Sequence, residues 1–276
     1  MSPLLLCTDL DRTLIPNGTQ PESPQARHHF ASLAGHPDVT LAYVTGRHQA
    51  LIQQAIHDFA LPTPNFAIAD VGATIYQVIG TEWQRWSAWD AHIAPEWDGV
   101  SHADLRRMLR GVNVLSLQEA EKQAPHKLSF YASVQTDIQD LMTKIQAIFK
   151  AENIHANLIW SIDEATQQGL LDILPAHANK LHAIEFLMAA QGFEPQHTVF
   201  AGDSGNDLDV LLSGIPSVLV ANAAADIQAR VAQVPGDKLY LARGDFLGMN
   251  GNYSAGVLEG VAHYHADVAT WLRQQR

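Results

Sequence analysis

The chain is poor in several things, and each shortage excludes something. A single cysteine, Cys7, stands among 276 residues, so an internal disulfide is impossible. Basic residues are scarce, 17 Lys and Arg against 29 Asp and Glu, for a net charge of −12. That balance argues against a nucleic-acid partner and against an anionic membrane surface. It would also repel an anionic substrate, so any such substrate must be gathered by local cations. No apolar run approaches the roughly 20 residues of a transmembrane helix. The apolar N-terminal run is short, has no basic flank and ends in acids, unlike a signal peptide. The expected location is therefore the cytoplasm, and the sequons at Asn17 and Asn252 carry no meaning. Repeats, low-complexity tracts and flexible linkers are absent too.

What is present is 47% hydrophobic residues, enough for a substantial core, in a length that allows a core plus a smaller domain. Leu4-Leu5-Leu6-Cys7-Thr8 reads as a strand buried on both faces, running straight into Asp9 and Asp11. A helix is expected over Ser23–Leu33, a strand over Val39–Val44 closed by Thr45-Gly46-Arg47, a helix through Leu51, Ile52, Ala55, Ile56 and Phe59, and a strand over Phe66–Ala69. This alternation implies a parallel sheet with right-handed crossovers. The character changes after Ala73: a hairpin arm at Thr74–Ile79, four tryptophans (Trp83, Trp86, Trp89, Trp97), strands at Val112–Leu117, Lys127–Ser133 and Ile154–Trp160, and an amphipathic helix from Ile138 to Phe149. The tryptophans either pack a small subdomain or offer one ring to a sugar. Alternation is expected to resume with a strand at Leu170–Pro175, a helix ending at Gly192, and a strand at Thr198–Ala201 closing on Gly202-Asp203-Ser204-Gly205-Asn206-Asp207. Further strands are placed at Ser217–Val220 and Lys238–Leu241, with Asn222 as a helix cap and a C-terminal helix over 254–265. His263 and His265 lie on different faces of that helix and are read as surface residues.

The expected fold is thus α/β: a Rossmann-like parallel-sheet core, residues 1–79 and 172–276, with an α+β insertion over 80–171. In an open parallel sheet the carboxyl ends of the strands share one edge, where ligands bind. Asp9, Asp11, Thr45, Lys180, Asp203 and Asp207 all fall at expected strand ends or just beyond them. So many carboxylates with one lysine call for a cation, and hard oxygen ligands suit Mg²⁺.

The segments Asp9-Leu10-Asp11-Arg12-Thr13, Thr45-Gly46, Lys180 and Gly202–Asp207 resemble, in order, the four motifs of the haloacid dehalogenase-like phosphohydrolases. The insertion resembles that family's C2B cap. Pro125–Tyr131 and Leu171–Pro175 resemble its sucrose-phosphate phosphatase branch. The resemblance implies catalysis by Asp9 as nucleophile, Asp11 as acid and base, Thr45 and Lys180 on the phosphoryl group, and Mg²⁺ held by Asp9, Asp11 (through its carbonyl), Asp203 and Asp207. Thr13, Gly46, Arg47, Lys127, Asp172 and Asn206 would complete the substrate-binding surface. Several of these have plain alternatives: Asp11 as a turn cap, Arg47 as a helix-start surface residue, Asp172 as a strand end or a support for Lys180 or the cap hinge, Lys127 as a solvated strand residue. Leu181 stands where the family often has Gly, and Arg12 where it has a small or amide residue. The implied substrate is a small sugar phosphate, foremost sucrose 6-phosphate; mannosylfructose phosphate and glucosylglycerol phosphate are the enzymatic rivals. An association with the upstream sugar-phosphate synthase is a further expectation. A phospho-accepting signalling module would use similar acids, but the insertion and the second acid, Asp11, favour turnover over storage.

Overall fold

The computed structural model describes residues 1–97, 99–163, 166–233 and 238–275. In chain order the elements are β1 (Leu4–Thr8), α1 (Ala26–Ala34), β2 (Val39–Val44), α2 (Gln49–Asp58), β3 (Phe66–Ala69), β4 (Thr74–Ile79), β5 (Glu82–Arg85), α3 (Ser87–Ile93), α4 (His102–Met108), β6 (Ser116–Leu117), β7 (Leu128–Ser133), α5 (Ile138–Ala151), β8 (Ala156–Asp163) and β9 (Gln168–Pro175). Then follow α6 (Lys180–Gln191), β10 (Thr198–Gly202), α7 (Leu208–Leu211), β11 (Ser217–Leu219), α8 (Ala225–Ala232), β12 (Leu239–Leu241), α9 (Ser254–Tyr264) and α10 (Ala266–Gln274).

The larger sheet has the order β12-β11-β10-β1-β2-β3-β4-β5. It is parallel from β12 to β3 and antiparallel across β4 and β5. β1 is wholly buried, and its period-2 alternation splits it between two cores. Leu4 and Leu6 join the layer built by α1, α2, α9 and α10; Leu5 and Cys7 join the layer built by α3, α6, α7 and α8. The chain leaves β1 toward β2 on one side and returns to β10 on the other. That reversal of strand order opens a crevice at the carboxyl end of β1.

The second sheet, β6-β7-β9-β8, is antiparallel throughout. Its core holds Phe130, Leu171 and Ile173 against Leu141, Ile145 and Phe149 of α5. The fold is therefore α/β with an inserted α+β unit, as the sequence implied.

Four details differ from the sequence reading. The strand at Leu170–Pro175 does not rejoin the parallel sheet; β9 lies between β7 and β8. A continuous apolar run marks burial on both faces but not the sheet that provides it. The large sheet also continues past residue 80, because the β4–β5 hairpin is anchored by Trp83 on Tyr76. Only Ser116–Leu117 of the expected Val112–Leu117 strand pairs, at an exposed edge. A further helix, α10, follows the expected last one, and His265 between them is buried, not a surface residue.

Candidate active site

The carboxyl ends of β1, β2, β3 and β10 deliver Asp9, Thr45, Asp70 and Asp203, all buried. The turn after β1 is the tightest part. Arg12 sits at φ 58°, a left-handed conformation that costs a non-glycine residue free energy. Two asparagines hold it. Asn17 Oδ1 accepts the Arg12 N–H at 2.8 Å, and Asn222 Nδ2 donates to the Arg12 carbonyl at 2.6 Å. Asn222 Oδ1 also accepts the Tyr253 N–H. Asn222 is thus a bridge between the first turn and the start of α9. It does not cap a helix; the residue preceding α8 is Ala224.

Lys180 comes from a different place than expected. It is not at a parallel-strand end but is the first residue of α6, whose N-cap Asn179 accepts the His182 N–H at 2.9 Å. What lets α6 approach is Gly72. A Cβ there would lie 2.3 Å from the Asn179 carbonyl carbon and 2.7 Å from the Lys180 nitrogen. Gly72 ends a turn with three successive positive φ values, at Asp70, Val71 and Gly72. The turn is tied to the second motif by Asp70 N–H to the Arg47 carbonyl and Val71 N–H to the Thr45 carbonyl, both 3.1 Å. Trp89 Nε1 donates to the Gly72 carbonyl, and Trp86 stacks on Phe66. These two rings pack the fold.

The buried Lys180 ammonium donates to Asp9 Oδ2 at 2.8 Å, Asp207 Oδ1 at 2.7 Å and Asn206 Oδ1 at 3.0 Å. Asp9 Oδ1 accepts the Leu10 N–H at 2.6 Å. Asp203 accepts from Thr13 Oγ1 at 3.1 Å and faces Arg12 Nε at 3.3 Å. Asp207 Oδ2 closes its own turn, accepting the backbone N–H groups of Asp203 and Ser204 at 3.0 Å each. That closure needs Gly202, where a Cβ would lie 2.6 Å from the Asp207 carboxyl carbon.

Asp9, Asp203 and Asp207 offer oxygens that all lie within 4.8 Å of one another, and the Lys180 ammonium donates to two of them. Burial, then the neighbouring carboxylate of Asp207, pushes the Asp203 carboxyl up to about 7. Burial also raises Asp9, against the pull of Lys180. Burial alone would lower Lys180, but Asp207 and Asp9 outweigh it and hold the ammonium charged. Three carboxyls thus crowd the centre beside the Lys180 ammonium and the Arg12 guanidinium, and the donors are hard oxygens. That set fits a divalent cation such as Mg²⁺.

The other expected residues form two flanking groups. Asp11 is 41% exposed and held by Arg47, with Nε on Oδ2 at 2.7 Å and Nη2 on Oδ1 at 2.6 Å. Thr45 is buried and its Oγ1 accepts the Arg47 N–H at 3.2 Å, leaving the hydroxyl proton for another acceptor; Gly46 beside it is exposed. Lys127 and Asp172 meet away from this pair. The Lys127 ammonium, 6% exposed, lies 3.7 Å from both Asp70 and Asp172, and Asp172 Oδ1 accepts Ser129 Oγ at 2.5 Å. Lys127 is thus not a solvated strand residue. The sequence reading missed Asn17, Asp70 and Gly72 and gave Asn222 a different role; the Asn17-Gly18 pair and a lone Gly after an apolar run were the signals present.

A family model described as sucrose-6F-phosphate phosphohydrolase matches residues 2–265. A Nitrosococcus oceani protein provisionally named a HAD-like hydrolase is 51% identical over 99% of this chain and 75% of its own length. Sucrose-phosphatase 2 of Nicotiana tabacum is 29% identical over 81% of this chain, which spans only 51% of that protein. The sucrose-phosphatase of Synechocystis sp., solved with sucrose and phosphate, superposes with a TM-score of 0.79 at 25% identity, covering 96% of this chain and 98% of that one. The chain belongs to the sucrose-6F-phosphate phosphohydrolase family of the haloacid dehalogenase superfamily and is a phosphoric monoester hydrolase.

Proposed function

We propose that the protein is a Mg²⁺-dependent sucrose 6-phosphate phosphatase that works through an aspartyl-phosphate on Asp9. The observation that carries this is the convergence of Asp9, Lys180, Asp203 and Asp207 at the ends of β1 and β10 and the start of α6. Asp9 and Asp203, the backbone carbonyl of Asp11 and, directly or through water, Asp207 would hold the metal. When bound, it supplies positive charge that lets an anionic nucleophile approach an anionic phosphate.

The remaining chemistry belongs to the chain. A carboxylate oxygen of Asp9 forms a bond to phosphorus as the bond to the sugar oxygen breaks. The electron pair goes to that oxygen, and Asp11 gives it a proton. Asp11 then takes a proton from the water that hydrolyses the aspartyl-phosphate. The Thr45 hydroxyl and Lys180 ammonium hold the phosphoryl oxygens, aided by the N–H groups opening α6. Asn206 shares the Lys180 ammonium with Asp9 and Asp207 and so limits its swing. The core takes residues 1–85, the β4–β5 hairpin included, and 176–276, and the insertion, whose sheet holds the whole of β9, serves as the cap. The Lys127 ammonium lies between Asp172 of the cap and Asp70 of the core, a position from which Lys127 and Asp172 can meet the sugar.

The test is phosphate release with Mg²⁺ from sucrose 6-phosphate, mannosylfructose phosphate and glucosylglycerol phosphate. Sucrose 6-phosphate should give the highest kcat/KM. A preference of about tenfold or more for another ester, a size that a few pocket contacts can produce, would overturn the substrate.

A further inference from the structure

Asp11 is exposed, yet it is held as firmly as a buried group. Asn17 Nδ2 donates to its Oδ1 at 2.7 Å, beside the two bonds from Arg47. Three donors thus fix both oxygens of a side chain that solvent would otherwise let rotate. The holders are themselves held. Asn17 is oriented by the Arg12 N–H, whose residue is locked from its other side by Asn222. Arg47 is anchored by its Nη1 on the Leu51 carbonyl at 3.3 Å. A run of bonded groups therefore leads from the start of α9 through Asn222, Arg12 and Asn17 to Asp11, and a second leads from α2 through Arg47.

We propose that Asn17 and Arg47 are positioning residues for proton transfer by Asp11. They fix the carboxyl where it meets the departing sugar oxygen, and Arg47 acts through Asp11, not as a contact to the phosphate or sugar. The physical ground is the steepness of proton transfer with geometry: a misplacement of about 1 Å can cost about 100-fold. Exposure of Asp11 gives it solvent as the source of the proton it delivers, and the water consumed in the second step restores that proton. The proposal rests on the acid role of Asp11 given above.

The leaving group separates positioning from general structural damage. A sugar alkoxide needs a proton to depart, whereas p-nitrophenolate leaves as a stable anion. We would measure kcat and KM for Asn17→Ala, Arg47→Met, Asp11→Asn and the doubles Asn17→Ala/Asp11→Asn and Arg47→Met/Asp11→Asn. The substrates are the sugar phosphate cleaved best by the wild type and p-nitrophenyl phosphate, with saturating Mg²⁺. Each single variant should lose at least about tenfold more in kcat with the sugar ester than with the aryl ester, a fraction of the 10²–10⁴ that general acid catalysis supplies. Each double should lose no more than Asp11→Asn alone. Equal losses with the two esters, or a rise in KM with kcat retained, would overturn the proposal. If Asp11→Asn itself shows no dependence on the leaving group, the acid role fails and the proposal falls with it. Asn17 lies in an exposed loop, so its variant keeps the test valid if Arg47→Met melts early.

Discussion

Replacing Lys180 by Met keeps the length of the side chain and removes its charge. The change leaves Asp9 and Asp207 buried at 5% and 0% exposure without their shared ammonium. Breaking a buried pair by removing one partner costs about 3–5 kcal/mol, because the remaining charge is uncompensated. For a chain of this size each kcal/mol shifts the melting temperature by roughly 2–4 °C, so the expected loss is roughly 6–20 °C. The size should depend on pH. With the lysine gone, Asp9, which burial pushes up, loses the pull that opposes that push, and its neutral form is favoured further. Protonation at pH 5.5 then relieves part of the strain, and the deficit should be clearly smaller than at pH 8. Thermal melts of wild type and Lys180→Met in EDTA at both values read this directly. A variant within about 2 °C of wild type at pH 8 would refute the reasoning, since that is below the shift expected for even 1 kcal/mol.

Other expectations follow from the same geometry. Asp203 moves from an ordinary 3.8 to about 7 on folding, so between those values the folded chain binds more protons than the unfolded chain. Metal-free stability should therefore fall as pH rises from about 4 to about 7, by on the order of 4 kcal/mol at ~1.4 kcal/mol per pH unit, and Asp203→Asn should flatten that slope in a melting series. Added Mg²⁺ should raise the melting temperature more at pH 8 than at pH 5; an equal rise at both would contradict a site built on these carboxyls. Gly202→Ala should drive Asp207 off Lys180 and cost about 1–3 kcal/mol, with a matching fall in kcat; a fully stable, active variant would count against the contact. Lys127→Met should raise KM for the sugar phosphate more than for p-nitrophenyl phosphate, as steady-state kinetics would reveal.

The parallel core was legible because its strands are short apolar runs that end in polar groups. Leu4–Thr8, Val39–Val44 and Phe66–Ala69 each stop at such an end, and Asp9 and Thr45 were found by that rule alone. Lys180 was found too, but for the wrong reason. Its strand belongs to the other sheet, and its place is fixed by Gly72, whose close approach to α6 leaves no periodic trace in sequence. Asn17 escaped, and Asn222 was read as a helix cap, for a similar cause. Their work is to satisfy the backbone of a strained Arg12, a requirement visible only once φ is known. Lys127 and Asp70 were invisible as a pair because each comes from a different sheet, and charge pairing across two units has no local signature.

The proposed turnover depends above all on Asp9 accepting the phosphoryl group. The most direct measurement is phosphate release by Asp9→Asn with Mg²⁺ and sucrose 6-phosphate, beside the wild type and with the fold checked by circular dichroism. Asparagine keeps the shape and lacks the nucleophilic oxyanion, so turnover should fall by at least ~1000-fold, about 4 kcal/mol of lost barrier lowering. A folded Asp9→Asn enzyme that releases phosphate at near wild-type rate would contradict the account.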